Sequence, residues 1–355
     1  MLRGLCTLVA TGAALLTTQA HADPVATFYK SKQIQVIVGY GPGGGYDVYA
    51  RMLARHMGRY IPGNPNLVVQ NMPGAGSLIA ANYIYTRAQR DGTVFGIIDR
   101  SLPLMAVVNS NPNVQFDPMK FTWLGSSSNG ADDAYVLMTR KDAQAKSLDD
   151  IRRKGGPRIV IGVTAKGATD TEVAKLLRDV VRLNVQILSG YPSGNDINLA
   201  VDRGEVDARP TTFSSLFSTK PDWLKPDSNM QVMVVMGRDT RMPQYPNVPL
   251  VRELVSDPKD KDLVDLADMP FRAPWPWAAP PEIPADRAKA LREAFRATSK
   301  DAAYRAEATK LTLDVTPMDG EEILAMIKRA SEFAPDVQER MRALQNEEVP
   351  PPEKR

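Results

Sequence analysis

One pattern constrains this chain more than any other: a short β-branched apolar run, then a glycine-rich or turn-rich loop, then an amphipathic stretch, repeated along the sequence. Repeats of that kind belong to folds that lay helices on largely parallel sheets. In the first copy, residues 34–38 (Ile-Gln-Val-Ile-Val) read as a strand, residues 39–45 as a glycine loop, and Asp47 opens a helix to about Tyr60. In the second, Leu67-Val68-Val69 leads to Met72-Pro73-Gly74-Ala75-Gly76, and Ser77 caps a helix through Ala88. Residues 93–98 carry an apolar run, as in a strand buried on both faces. A second section contains candidate strands at residues 135–138, 158–163, 185–188, 206–208 and 232–236, with helices at 147–154 and from Thr169 or Asp170 onward. Helices at 285–298 and 320–345 follow, and the polar, proline-rich residues 346–355 read as a disordered tail. The expected fold is therefore α/β, in two similar lobes.

The first 22 residues carry a different message. Arg3 precedes an apolar run at residues 5–16, and Ala20-His21-Ala22 has the small-x-small form of a cleavage site. The run is too short, and too soon interrupted by Thr17, Thr18 and Gln19, for a membrane span of about 20 residues. We read a secretory signal ending at Ala22. Its removal takes away Cys6, the single cysteine, and leaves His56 as the single histidine, while the formal charge of +3 becomes +2. Disulfides and multi-cysteine metal sites are excluded, and no metal or other cofactor is expected. His56 lies within an amphipathic helical stretch and reads as a surface residue, so a Ser-His-Asp triad has no evident base. Neither G-x-S-x-G nor H-E-x-x-H occurs, and no catalytic residues are assigned. With 44 basic and 41 acidic residues scattered along the chain, nothing resembles a nucleic-acid-binding stripe.

The glycine loops remain as the candidate chemistry. Gly41-Pro42-Gly43-Gly44-Gly45-Tyr46-Asp47 joins a strand to a helix, where backbone N–H groups and the positive helix end favour an anion. The run lacks the third glycine of a dinucleotide fingerprint, and Gln70-Asn71 stand where its acid should be. It also lacks the Lys and Ser or Thr of a nucleotide phosphate loop. Loops at residues 72–76, 164–168 and 190–195 also follow candidate strands, so all four should emerge at strand C-terminal ends, where open α/β sheets bind ligands. Because the first loop offers no Lys or Arg, a carboxylate there should be held by N–H dipoles and water. Asp47 reads as a helix cap accepting from Tyr49 or Ala50. Arg209 reads as an exposed hinge arginine, and Trp275 and Trp277 as packing beneath a helix.

From Val36 to Arg51 the sequence resembles the opening of the substrate-binding proteins of tripartite tricarboxylate transporters, the TctC or Bug family. The resemblance continues in order through Val69-Gln70-Asn71-Met72-Pro73-Gly74-Ala75-Gly76, Arg90-Asp91-Gly92-Thr93, Gly190-Tyr191, Gly204-Glu205-Val206-Asp207 and Trp277-Ala278-Ala279-Pro280. It implies a periplasmic binding protein fold of type II, monomeric, with a ligand cleft between two α/β lobes. The expected division is residues 1–22 as signal, 23–125 with 240–345 as lobe one, and 126–239 as lobe two. The hinge is expected near residues 123–128 and 236–241. The implied function is capture of a small organic carboxylate and its delivery to membrane permease subunits. A ligand-sensing partner of a membrane signalling receptor and an α/β enzyme are the alternatives. The matching ligand positions are Tyr40, Gly43, Gly44, Gly45, Tyr46, Asp47 and Gly76 on lobe one, and Thr164, Ala168, Thr169, Tyr191 and Asn195 on lobe two. Tyr46 departs from the family pattern, where a small hydroxyl residue is common. It is expected to narrow the pocket, to stack on a flat ligand, or to pack as a loop aromatic.

Overall fold

The computed structural model describes residues 23–130 and 133–349, so the signal segment and residues 350–355 lie outside the described residues. Eleven strands form two sheets. In the first, β1 (Gln33–Val38) lies between β2 (Asn66–Asn71) and β3 (Val94–Ile97), all parallel. The order continues through β10 (Pro276–Ala279), antiparallel to β3 and to β4 (Thr122–Ser126), and ends at β11 (Met318–Asp319). In the second, β6 (Ile159–Gly162) lies between β7 (Val185–Leu188) and β8 (Ala208–Thr212) and runs parallel to both. Then β5 (Tyr135–Arg140) is antiparallel to β8 and to β9 (Met230–Met236).

Register decides where the loops emerge. Val38 pairs with both Asn71 and Ile97, so β1, β2 and β3 end level and release residues 39–45, 72–77 and 98–101 on one edge. Alternation then sorts the core. Ile34, Val36 and Val38 pack with Tyr49, Met52 and Leu53 of the helix Gly45–Met57, whereas Ile37 packs on the other face with Ala81, Ile84 and Ile327. On β5, Leu137 and Val136 likewise enter separate clusters.

Three expectations change. The helix expected at 320–345 is two, Gly320–Ser331 and Pro335–Asn346, because proline lacks an N–H and is suited to a helix start. The segment 240–345 stays with the first sheet only in part. Leu263 and Val264 of the helix Pro258–Asp268, and Val337 and Met341 of Pro335–Asn346, pack in one cluster with Ile159, Ile161 and Leu177, covering a face the second sheet would otherwise expose. The tail is ordered at its start, since Val349 is buried and its carbonyl accepts from Ser189 Oγ at 3.1 Å.

Candidate functional site

The level ends of the strands open onto a cleft of about 510 Å³ between the two sheets. The loop after β1 contributes Tyr40, Gly44, Gly45 and Tyr46, and the turn after β3 contributes Asp99 and Arg100. From the other side come Tyr135, Thr164, Thr169, Asp170, Gly194 and the β8 residues Arg209, Thr211 and Thr212. Ser215, and Trp275 just before β10, complete the wall. At the mouth the two loop sets meet, since a Cβ on Gly41 would lie 3.5 Å from Ser193 and one on Gly43 3.9 Å from Asn195 Nδ2.

Arg100 is 4% exposed, and no carboxylate among the described residues forms an ion pair with it. Its Nε donates to the Tyr46 hydroxyl at 3.3 Å and its Nη2 to Thr212 Oγ1 at 2.9 Å. Around the guanidinium stand four rings, with centroids at 4.9 Å for Trp275, 5.5 Å for Tyr135, 5.7 Å for Phe271 and 5.9 Å for Tyr46. Cation–π attraction holds the charge in place without neutralising it. Trp275 is fixed from behind by Tyr49, stacked at 4.3 Å.

Arg209 is 7% exposed and lies on β8, so the expectation of an exposed hinge residue is corrected. The β-strand turns its side chain inward, where Nη1 donates to the Gly194 carbonyl and to Asn198 Oδ1 at 2.6 Å, and Nη2 to Thr211 Oγ1 at 3.0 Å. Its buried Nε has no acceptor, nor has the buried Nε1 of Trp275. Burial pulls the Arg209 pKa below its ordinary value, yet a guanidinium remains charged.

The acids of the cleft are committed to the chain. Asp99 accepts from Tyr40 OH at 2.6 Å, Tyr46 OH at 3.2 Å, Ser101 N at 2.9 Å, Ser101 Oγ at 2.6 Å and Thr169 Oγ1 at 2.7 Å. A carboxylate offers about four lone-pair sites, so Asp99 is saturated. Asp170 accepts from Thr164 N and Thr164 Oγ1, both at 2.8 Å, while burial pushes its carboxyl up to about 6 against those bonds. A cationic ligand group would have to displace internal donors. The unmet capacity lies with donors, and the N-termini of the helices Gly45–Met57 and Thr169–Asp179 add positive potential at the same place.

Of the residues singled out from sequence, Tyr40, Gly44, Gly45, Tyr46, Thr164 and Thr169 line the cleft. Gly43, Asp47, Gly76, Ala168, Tyr191 and Asn195 do not line it. Asp47 sits inside the first helical turn, not at the cap. It accepts from Gly43 N, Asn71 Nδ2 and Arg51 Nε, each at 2.9 Å, and so staples the glycine loop to β2. Gly76 approaches Ala168 so closely that a Cβ would stand 2.9 Å from its nitrogen, a packing role for both. Asn195 is exposed, and Tyr191 packs over Gly162. Tyr46 stacks on Tyr40 at 4.9 Å and meets Trp275 edge-on at 5.0 Å. His56 is drawn from the surface toward Tyr304 and pairs with Glu307 at 2.6 Å. Sequence reading missed Arg100 and Asp99, although a charged pair directly after an all-apolar strand, at the strand end where such sheets bind ligands, was the available signal.

No family model matches the chain. Protein BugT of Bordetella pertussis is 27% identical over 246 residues, covering 67% of this chain and 71% of BugT. Among solved structures, the periplasmic binding protein BugD superposes with a TM-score of 0.68 at 18% identity, covering 89% of this chain and 98% of BugD. MatC from Rhodopseudomonas palustris with bound malate gives 0.65 at 18% identity, covering 86% and 99%. The cleft of this chain presents unmet donors around two buried cations. In sequence the chain is similar to BugT, and it shares its two-sheet α/β fold with BugD and MatC.

Proposed function

We propose that this chain is a solute-binding receptor of the Bug/TctC type that works in the periplasm, where it captures a small organic acid carrying two carboxylates and presents it to the permease subunits of a membrane transporter. The observation that carries the reading is a pair of buried arginines, neither paired with a carboxylate of the chain, facing one cleft from opposite sheets. Each is anchored to a threonine, and Thr211 and Thr212 are adjacent on β8, with Cα atoms about 3.8 Å apart. Because both guanidiniums line this one cleft, a single molecule with two acid groups can engage them, each forming charge-assisted bonds with one acid group. Malate in MatC is a ligand of that class. Location rests on the signal pattern of residues 1–22, and no described helix is long and apolar enough to cross a membrane.

Calorimetric titration with malate, adipate and the monomethyl ester of adipate tests this. Masking one acid group should weaken binding by about tenfold or more, the value of one lost charge-assisted bond of about 1.5 kcal/mol. Equal affinity for adipate and its monoester would overturn the two-acid reading. Failure of every acid to bind would overturn the receptor reading itself.

A further inference from the structure

Behind the cleft lies a second, small cavity, walled by Ser101 and Leu104 from the first-sheet side and by Thr169, Glu172 and Leu176 of the helix Thr169–Asp179 from the other. Thr169 belongs to both cavities, and its hydroxyl and that of Ser101 converge on Asp99 Oδ1. Glu172 is 6% exposed, and neither of its carboxylate oxygens has a well-formed hydrogen bond, the Gly167 backbone N–H and Lys175 being the donors that face it. Few groups can compensate it. On its own helix Lys175 Nζ stands 3.7 Å away, but that fully buried ammonium donates to the Gln345 carbonyl at 3.1 Å. Across the cavity, the turn after β3 brings Asp99, a like charge. The end of β9, residues 267–271 and the C-terminal helix bring the apolar Met236, Phe271 and Met341. Burial pushes the Glu172 carboxyl up to about 7, Lys175 opposing and Asp99 assisting.

We propose that closure of the two halves over an anionic ligand is coupled to protonation of Glu172, so that capture takes up a proton and release is favoured as the pH rises. The proposal rests on the receptor reading above. The walls around Glu172 come from both halves, so their separation admits water and returns the carboxyl toward its ordinary range near about 4.3. Between that range and the closed-state value, the closed form binds the extra proton. Closure is therefore strongest below the window and weakens as pH rises through it, with a limiting slope of about tenfold in affinity per pH unit. Once Glu172 is ionised in both states the dependence flattens. Burial pushes Asp170 up only to about 6, and Asp268, pushed up to about 7, lines neither cavity, so the loss of proton uptake in Glu172→Gln is what assigns the upper part of the window.

The test is calorimetry with malate and adipate as probes, at a pH of about 6.5, in two buffers of different ionisation heat, which counts protons on the wild type without any variant. The wild type should take up a proton, and its affinity should fall between about pH 6 and about pH 7 and then level off. Glu172→Gln should bind with little proton uptake and a shallow profile over the same range. Binding by the wild type with no proton uptake, or the same uptake in Glu172→Gln, would overturn the coupling alone. Absence of binding by both probes would overturn the receptor reading and the coupling together.

Discussion

Replacing Arg100 by methionine should abolish capture of a carboxylate while leaving the fold at least as stable. Removing one partner of a buried, hydrogen-bonded charge pair costs about 2–5 kcal/mol, which is at least about thirtyfold in Kd. The stability effect runs the other way. In the ligand-free protein the guanidinium is desolvated with no direct ion pair, Asp99 reaching it only through the Tyr46 hydroxyl, and an apolar side chain of similar length is often neutral or stabilising at such a place. The cation–π contacts with Trp275, Tyr135, Phe271 and Tyr46 are lost, but the methionine sulfur keeps favourable contact with the same rings. Thermal unfolding of the ligand-free variant, paired with calorimetric titration of adipate, separates the two effects. Arg100→Lys should fall between wild type and Arg100→Met, since it keeps the charge and loses the planar fork. An Arg100→Met protein that binds adipate normally, or that melts well below wild type, would show that the residue serves the core and not the ligand.

Gly45→Ala should damage the site more than Gly44→Ala, the reverse of what a loop that merely binds through its central glycine would give. At Gly45 a Cβ would lie 2.8 Å from Trp275 Cη2 and 3.2 Å from Ser215 Cβ. Trp275 cannot retreat, because Tyr49 stacks behind it at 4.3 Å and the Arg100 guanidinium covers it at 4.9 Å. Either the helix Gly45–Met57 shifts at its first residue or the indole is pushed into the cleft, an overpacking cost of about 1–3 kcal/mol. Gly44 has an ordinary extended φ of −83°, and the nearest atom to a Cβ there is Gly194 N at 4.0 Å. Adipate titration and melting of both variants decide it, and a Gly44→Ala loss exceeding that of Gly45→Ala would show that the backbone of the loop is the principal anion holder.

The sequence by itself determined the alternation of strands, loops and helices, because β-branched runs, glycines and apolar periodicity act over a few residues. It therefore placed Val185–Leu188 at the observed bounds and set the glycine loop at the end of β1. Through the family resemblance it also marked Tyr40, Gly44, Gly45, Tyr46, Thr164 and Thr169 as ligand positions, and these six line the cleft. Long-range packing decided the rest. Arg209 looked like a surface cation until β8 was set inside the second sheet, next to Gly194 and Asn198. Arg100 became a binding cation only when Trp275 and Phe271, about 170 positions later in the chain, closed around it. Glu172, on an amphipathic helix, carried no sign that Met236, Phe271 and Met341 would close over it and leave it buried. A side chain's charge is written locally, but whether that charge is hydrated, paired or left for a ligand depends on which distant segments exclude water from it, and only the tertiary structure brings those segments together.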